Sequence, residues 1–257
     1  MPPRTNNNRS SNSTPSSRTK QDSLKIFQHN CCGSNNVFLS LCSVLKPLKP
    51  DVIAVQDPYL FNNRPLNAPG FTLIFDHSSS VPKVATYINN NTLKSASYIT
   101  NPTRSPNTLS ITLYIMDQPI QIVNIYNTPW NSSALLAEEM FLHSTFPTIA
   151  IGDFNLHSPH SDPLRHFSHD ELRRSTPIFN LAYDRDYTLL NTPGLHTFFP
   201  HSQNRRPSTL DLAFTNSAFN RFRTSWHNNT PPTGSDHTAH LTTIYFSFYI
   251  PPYTIPH

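Results

Sequence analysis

The hydrophobic pattern of the chain switches between the period of a strand and that of a helix. Residues 24–30 are typical of a strand, and the continuous apolar run at 51–57 is typical of a buried strand. Between them, residues 37–45 place apolar side chains at helical spacing, and Pro47 is expected to close this helix. A strand–helix–strand start predicts a layered α/β fold.

The rest of the chain adds strands and two helices to this pattern. Residues 109–127 alternate apolar and polar side chains around the turn Asp117-Gln118-Pro119, which predicts a hairpin. Helices are expected at 131–146 and from Thr176-Pro177 to about Tyr183, where Pro would occupy the first turn. Further strands are predicted at 71–75, 83–88, 95–99, 147–152, 187–191, 208–215 and 239–250.

Composition divides the chain into one domain and two tails. Residues 1–23 are rich in Ser, Asn and Pro with four basic residues and one acidic residue, so we expect a disordered basic tail. A single domain is expected over 24–250, followed by a short tail at 251–257. The net charge of +4 is compatible with a polyanionic partner but does not require one.

Cysteine use and the N-terminus bear on the compartment. The three cysteines, Cys31, Cys32 and Cys42, are odd in number and two are adjacent, which argues against a disulfide framework and favours a reducing compartment. The N-terminus lacks an apolar segment, and no apolar run approaches the roughly 20 residues that span a bilayer. We therefore expect a nuclear or cytoplasmic protein that is not secreted.

Polar residues stand where several predicted strands end. One such ending is an ordinary turn, but six suggest that the fold gathers them at one rim. Asp and Asn oxygens suit a hard cation such as Mg²⁺, Asp with His can move a proton, and Asn, Tyr and His can hold phosphate oxygens. The set therefore points to metal-assisted phosphodiester hydrolysis. Its members are Asn30, Asp57, Tyr126, Asn127, Asp153, Asn155, Asp211, Asp236 and His237.

The stretch "IAIGDFNLH" shows the spacing that matters. Residues two apart point to the same side of an extended chain, so Asp153 and Asn155 should project together while Phe154 turns toward the core. A plain strand-ending turn is the alternative for this stretch, because Gly, Asp and Asn are common turn residues.

The ordered motifs "QHN", "VIAVQDP", "NIYNTP", "GDFNLH", "HTFF", "STLDLAF" and "SDH" resemble the endonuclease–exonuclease–phosphatase superfamily, which includes DNase I and exonuclease III. More narrowly, they resemble the endonuclease domain of LINE-type non-LTR retrotransposons, over about residues 24–246. The resemblance implies a DNase I-like four-layer sandwich, in which two packed mixed β-sheets are flanked by helices.

The resemblance implies a metal site and substrate contacts. Asn30 and Asp57 match metal-binding positions and Asp236 lies next to the metal, with Mg²⁺ the expected ion and Mn²⁺ an alternative. Tyr126 matches a tyrosine that contacts the scissile phosphate, and Thr197 matches a threonine that contacts the substrate backbone.

The resemblance also assigns catalytic roles. Asp153 would orient or deprotonate the attacking water, and Asn155 would hold the phosphate. Asp211 would orient His237, which would stabilise the transition state or relay a proton. The implied activity is nicking of DNA to leave a 3′-hydroxyl and a 5′-phosphate. The chain stops at His257 without a reverse-transcriptase segment, so we expect a solitary domain or a fragment of a longer protein with such a domain.

Two departures from the family keep alternatives open. The family has Glu at the position of Asp57, whose carboxylate therefore falls back by ~1.5 Å, so metal binding would weaken or a water would bridge the gap. After GDFN, His157 is present without the second His and the Trp that related domains carry. The alternatives are a phosphatase or phosphodiesterase acting on a small or lipid phosphate, and a catalytically impaired retrotransposon remnant.

Other features have a functional and a plain interpretation. The four loop histidines could suggest zinc, although a solvated loop fits the spacing better. Cys31 and Cys32 favour packing over thiol catalysis. Arg205 and Arg206 suit a DNA phosphate or a surface loop, and Trp130 suits packing or base stacking. The four histidines are His157, His160, His166 and His169.

Overall fold

The structure is a computed structural model that describes residues 22–246, except residues 95, 102, 104, 129–139, 142, 203–204 and 229. The tails expected at 1–23 and 251–257, most of the helix expected at 131–146, and Trp130 lie outside the described residues, apart from residues 22 and 23. The first strand begins at Ser23, one residue before the expected start of the domain.

The described elements are mostly strands. In chain order they are β1 (Ser23–Asn30), α1 (Asn35–Leu48), β2 (Val52–Gln56), β3 (Leu60–Phe61), β4 (Arg64–Pro65), β5 (Phe71–Ile74), β6 (Val84–Asn89), β7 (Ser97–Asn101), β8 (Thr108–Ile115), β9 (Gln118–Tyr126), β10 (Thr148–Asp153), α2 (His169–Asp184), β11 (Tyr187–Leu189), β12 (Asp211–Asn216), a 3₁₀ helix (Ser217–Arg221), β13 (Arg223–His227) and β14 (His240–Tyr245).

Twelve of these strands form two six-stranded sheets of similar construction, and β3 and β4 form a separate two-stranded sheet. The first has the order β13–β14–β1–β2–β6–β5 and the second the order β11–β12–β10–β9–β8–β7. Each six-stranded sheet has one parallel pair near its centre, β1 with β2 and β9 with β10, and the other pairings between described strands are antiparallel. The parallel pairs bring the carboxyl ends of two strands in each sheet to the same edge.

Alternation along the strands builds the core between the sheets. In β1, Ile26 joins the cluster between the sheets while Phe27 faces outward, and in β9 Ile122 and Val123 divide in the same way. Consecutive strand residues point to opposite faces, so one apolar run supplies both an inner and an outer layer.

Helices cover the two outer faces. Phe38 and Leu41 of α1 pack in the cluster on the first sheet, and Ile178 and Phe179 of α2 pack in the cluster on the second. The resulting order of helix, sheet, sheet and helix confirms the predicted α/β four-layer sandwich. In the described part of the chain, no helix is long and apolar enough to cross a bilayer.

The hairpin between β8 and β9 turns earlier than predicted. Ile115 pairs with Gln118, so the turn consists of Met116 and Asp117, and Pro119 lies within β9. Met116 and Asp117 both have positive φ, 49° and 63°, as a two-residue hairpin turn requires. The predicted turn at Asp117-Gln118-Pro119 was therefore wrong by one residue.

The second helix starts well before Thr176-Pro177. Ser168 is its N-cap and forms a capping box with Glu171, so α2 begins at His169 and Pro177 lies inside it. The prediction placed Pro177 in the first turn, but the capping box fixed an earlier start. Pro47 likewise lies inside α1, which continues to Leu48.

Candidate active site

The inner faces of both sheets end in polar side chains at one rim. In β10, Ile149 and Ile151 face the core, so Asp153 follows on the same side. Asp153 is paired with Tyr126 of β9 and with Asp211 of β12, which places all three in one row. The predicted gathering of strand-end residues is therefore what the strand register produces.

A hydrogen bond joins the two sheets at this rim. Asn30 ends β1 of the first sheet, and its Nδ2 donates to Oδ2 of Asp153 at 2.8 Å. Both side chains are buried, so this bond lies in a low-dielectric environment. Asn30 Oδ1 accepts from the backbone N–H of Cys32 at 2.8 Å, which fixes the orientation of the amide.

Asp153 and Asn155 are in contact, but a turn after β10 brings them together, not alternation along the strand. Asn155 has a φ of 47°, and its backbone N–H donates to Asp153 Oδ1 at 2.9 Å. Its Nδ2 donates to Asp153 Oδ2 and to the carbonyl oxygen of Asn127, at 2.8 and 2.7 Å. Phe154 is fully buried between them, as predicted. Asn155 thus aims the Asp153 carboxylate.

Asn127 contributes to the site from the end of β9. Its Nδ2 donates to the carbonyl oxygen of Phe154 at 2.7 Å, and its backbone N–H donates to the carbonyl oxygen of Asp153 at 2.8 Å. Together with the bond from Asn155, these contacts hold the GDFN turn against β9. Sequence reasoning noted Asn127 at a strand end but gave it no role.

Asp211 and His237 form a buried pair beside Asp153. His237 Nδ1 lies 2.8 Å from Asp211 Oδ2, and ligand atoms of Asp153, Asp211 and His237 all lie within 4.8 Å of one another. The His237 ring also packs on Phe198, with centroids 4.9 Å apart. The predicted orientation of the histidine by Asp211 matches this geometry.

The charges of this cluster shift its pKa values in opposite senses. Burial raises the pKa of Asp153 to about 7, and the nearby Asp211 carboxylate acts in the same direction. Burial lowers the pKa of His237, but the charge and hydrogen bond of Asp211, with smaller contributions from Asp153 and Asp236, outweigh it and raise the value to about 9. Burial also opposes ionisation of Asp211, yet the charge and hydrogen bond of His237 hold its pKa below the usual range. Near neutral pH the pair is therefore Asp211 carboxylate with His237 imidazolium.

Thr197 lies behind Asp211. The side chain is fully buried, and its hydroxyl oxygen accepts from the backbone N–H groups of Leu210 and Asp211, both at 2.9 Å. These bonds fix the start of β12 and hence the position of the Asp211 carboxylate. Thr197 therefore positions Asp211 from a fully buried site, and its contact with the substrate backbone stays a prediction.

Asp57 has an unexpected partner in Lys83. Lys83 Nζ lies 3.0 Å from Asp57 Oδ1, and the same ammonium lies 5.8 Å from the ring centroid of Tyr126. The antiparallel pairing of β2 with β6 creates this contact, because Asp57 and Lys83 flank the pair Gln56–Val84. Nothing in the linear sequence marks Lys83, since its partner is distant along the chain.

The donors proposed for a metal suit a hard divalent cation. Asn30, Asp57 and Asp236 offer amide and carboxylate oxygens, the ligand type that Mg²⁺ and Mn²⁺ prefer. The loop after β1 links them, since Gly33 N–H donates to the carbonyl oxygen of Asp57 at 2.8 Å and Cys32 Sγ lies 3.1 Å from Asp236 Oδ1. The donor types therefore suit such an ion, but among the described residues the close clusters of potential ligands include Asp236 and not Asp57, and Lys83 competes for one Asp57 oxygen.

Tyr126 stands as a neutral donor at the rim. Burial raises the pKa of its hydroxyl above the ordinary range, and the carboxylates of Asp57 and Asp153 add to this effect. The phenol therefore keeps its proton at physiological pH and can donate it to an anionic oxygen.

A basic groove opens beside the cluster. It has a volume of about 920 Å³, and Asn155 and His237 form part of its wall. One acidic side chain, Asp162, faces several basic ones along the described lining. The basic residues are Arg165, Arg174, Arg205 and Arg206, and the histidines that also line the groove are His157, His166 and His196.

The histidine-rich loop belongs to this groove. His157 Nδ1 lies 3.0 Å from Arg165 Nη1, and Arg165 pairs with Glu171 at 2.5 Å. His160 stacks on Phe179 with centroids 5.3 Å apart. Neither cluster of metal-ligating side chains found among the described residues includes a histidine of this loop. Ion pairing accounts for His157 and ring stacking for His160.

Comparisons with known proteins agree with this architecture. Residues 120–241 match a family model described as "Endonuclease-reverse transcriptase". The endonuclease domain of TRAS1, a telomere-specific non-LTR retrotransposon, superposes with a TM-score of 0.69 at 16% identity, covering 87% of this chain and 98% of that one. No curated protein matches the sequence.

Two AP endonucleases share the fold. The AP endonuclease LMAP from Leishmania major gives a TM-score of 0.65 at 14% identity, covering 88% of this chain and 89% of that one. An AP endonuclease from Archaeoglobus fulgidus gives 0.62 at 16% identity, covering 86% and 99%. These likenesses confirm the DNase I-like fold that the resemblance of the motifs implies.

Proposed function

We propose that this protein is a divalent-cation-dependent endonuclease that nicks DNA and leaves a 3′-hydroxyl and a 5′-phosphate. The observation that carries the proposal is the cluster of Asp153, Asp211 and His237 within 4.8 Å, set beside a basic groove. A carboxylate poised near neutral pH and a buried imidazolium supply the base and the positive charge that phosphodiester hydrolysis needs.

Asp153 is proposed as the general base. With a pKa of about 7, it is partly ionised at physiological pH and can take a proton from a water that attacks phosphorus. Asn30 and Asn155 hold its two oxygens, so the carboxylate is aimed before substrate arrives. The phosphate contact expected of Asn155 would require one of its amide N–H groups to change partner.

His237 is proposed as the positively charged member of the cluster that contacts the phosphate. Its Nδ1 is engaged by Asp211, so Nε2–H remains to donate to a phosphate oxygen or to the departing 3′-oxygen as the P–O3′ bond breaks. Tyr126 contributes a neutral phenol at the same rim. Asn30, Asp57 and Asp236 would hold Mg²⁺, or Mn²⁺ as the alternative, and such an ion supplies positive charge to phosphate oxygens and acidifies bound water.

The groove supports a polyanionic substrate. Arg205 and Arg206 are exposed along it and can meet successive phosphates of a strand. A small phosphate would need only the cluster itself. The retrotransposon-type identity, with a reverse-transcriptase domain in a longer parent, is supported by the matching family description and by the similarity to the TRAS1 domain.

One observation favours a second candidate, a catalytically impaired remnant that binds nucleic acid. Lys83 already forms an ion pair with Asp57, and Asp57 is also shorter than the family's Glu. Both features weaken the attraction of this carboxylate for a cation.

Nicking of supercoiled plasmid with Mg²⁺, and with EDTA as control, tests these candidates. The endonuclease proposal expects Mg²⁺-dependent nicking by wild-type protein and a higher rate for Asp57→Glu. Nicking by Asp57→Glu alone would favour the remnant. Absence of nicking by both, with hydrolysis of a small phosphomonoester, would refute the endonuclease and favour the phosphatase alternative.

A further inference from the structure

A cysteine stands beside the Asp–His motif at the edge of the candidate active site. Cys32 Sγ lies 3.1 Å from Asp236 Oδ1, and this oxygen lies 3.9 Å from His237 Nε2. The three ligand atoms all lie within 4.8 Å of one another. The sequence favours a packing role for Cys32. In the structure, however, Cys32 is exposed and its sulfur points at two potential metal ligands.

The loop that carries Cys32 is firmly held. Cys32 has a φ of 50° and donates its backbone N–H to Asn30 Oδ1 at 2.8 Å. On the other side, Ser235 Oγ donates to the carbonyl oxygen of Asn30 at 2.9 Å and accepts the backbone N–H of His237 at 3.1 Å. These bonds tie the two loops together, so the sulfur, oxygen and nitrogen atoms are positioned before any ligand arrives.

The spacing of the three atoms suits a tetrahedral ion. Ligands of Zn²⁺ at 2.0–2.3 Å subtend distances of about 3.3–3.7 Å from one another. The separations of 3.1 Å from Cys32 to Asp236 and 3.9 Å from Asp236 to His237 lie within about 0.3 Å of that range. The side chain of Asp236 is 25% exposed, which leaves a fourth position open to water.

A carboxylate already holds the far side of the His237 ring. His237 Nδ1 faces Asp211 Oδ2 at 2.8 Å, so Nδ1–H can donate to the carboxylate while Nε2 turns to an ion. A carboxylate that receives the far N–H of a ligating histidine fixes its tautomer and raises its basicity. Thr197 in turn fixes Asp211 through the backbone.

We propose that Cys32, Asp236 and His237 form a site for a thiophilic divalent cation, Zn²⁺ or Cd²⁺, that is distinct in ligand chemistry from the oxygen site for Mg²⁺. On binding, the Cys32 S–H bond breaks and the sulfur–metal bond forms, while the thiol proton and the Nε2 proton leave to solvent. A hard cation such as Mg²⁺ gains little from a thiolate, so it does not compete for the sulfur.

Occupancy of this site has a consequence that rests on the proposed function. It removes Nε2–H of His237 from the phosphate and ties up Asp236. Zn²⁺ is therefore expected to inhibit nicking even in excess Mg²⁺, and the inhibition depends on Cys32.

Cd²⁺ titration of the full chain tests the site without an activity assay, because the ultraviolet thiolate-to-Cd²⁺ charge-transfer absorption reports only sulfur ligation. We expect the band to saturate at one Cd²⁺ in wild-type protein and in Cys42→Ser, whose thiol lies on α1 outside the cluster. In Cys32→Ser we expect loss of the band and binding weaker by at least about tenfold. A band of equal strength in Cys32→Ser, or none in wild type, would overturn the proposal.

The inhibitory consequence has its own control. Cys32→Ser should require at least about tenfold more Zn²⁺ than Cys42→Ser for half-inhibition of nicking. A wild-type protein that shows the band but nicks nothing would refute the proposed function and leave the thiolate site standing. A wild-type protein that nicks DNA but shows no band would refute the thiolate site and leave the proposed function standing.

Discussion

Replacing Asp211 by Asn removes the charge that keeps His237 protonated. Asp211 Oδ2 lies 2.8 Å from His237 Nδ1, and the carboxylate is completely buried. Asn has nearly the same shape, so the substitution isolates the charge. We expect His237 to become neutral at pH 7.5 in Asp211→Asn.

The size of this effect follows from the pKa of His237. The rise from the ordinary 6.5 to about 9 corresponds to about 3 kcal/mol in favour of the imidazolium. Burial is the largest single influence on this pKa and lowers it, and it remains after the substitution together with the smaller opposing charges of Asp153 and Asp236. The pKa of His237 in Asp211→Asn should therefore fall below about 6.5, the value of an exposed imidazole.

Nitrogen-15 NMR of the imidazole rings measures this directly, with the His237 signal identified by its loss in His237→Gln. Asp162→Asn is the matched control, because Asp162 Oδ2 lies 3.5 Å from Nε2 of a different histidine, His196. We expect His237 to remain imidazolium at pH 7.5 in wild type and in the control, and to be neutral in Asp211→Asn. A protonated His237 in Asp211→Asn would refute the assignment of its charge to Asp211.

Three other predictions follow from single contacts. Lys83→Met should tighten Mn²⁺ binding about fivefold by calorimetry, because a partly exposed ion pair contributes about 1 kcal/mol, whereas Lys46→Met on α1 should leave it unchanged. His240 is buried with its pKa lowered to about 4, so its contribution to stability is complete above pH 6.5 and is lost as the pH falls toward 4. Between pH 7 and 5, urea unfolding should therefore show that His240→Phe loses about 2 kcal/mol less free energy of unfolding than wild type does. Gly152→Ala would set a Cβ 1.9 Å from the carbonyl oxygen of Ile125. Unfolding followed by circular dichroism should therefore show a free energy of unfolding lower by more than about 4 kcal/mol, or no folded protein at all.

Each of these predictions has a contrary outcome. Equal Mn²⁺ affinities of Lys83→Met and wild type would show that the ion pair does not compete with the cation. Parallel pH–stability curves for His240→Phe and wild type would mean that the folded protein accommodates the imidazolium. A stable Gly152→Ala protein would mean that β10 can move away from β9.

The sequence predicts the rim well because strand alternation is local. Asp153 follows Ile149 and Ile151 at even spacing, and the same parity brings Asn30 and Asp211 to the inner face. Those side chains could therefore be placed together before the register of the sheets was known. Phe154 was predictable in the same way, as the residue of opposite parity.

Contacts between distant segments were beyond the sequence. The pairs Asp57–Lys83 and Cys32–Asp236 depend on sheet register and on the meeting of two loops, which periodicity does not encode. The start of α2 at Ser168 was local and could have been found, because Ser168 and Glu171 have the spacing of a capping box. Pro177 indicated a later start, because proline is common in the first turn of a helix.

Single-turnover nicking of supercoiled plasmid by wild type and Asp153→Asn, with ligase resealing of the product, tests the central claim most directly. Asn keeps the shape of Asp153 but accepts no proton, so the rate should fall by at least about 10³-fold, within the range for loss of a general base. The wild-type nick should be resealed by ligase, as a 3′-hydroxyl and a 5′-phosphate require. Nicking by Asp153→Asn at the wild-type rate, or a nick that ligase leaves open, would contradict the proposed mechanism.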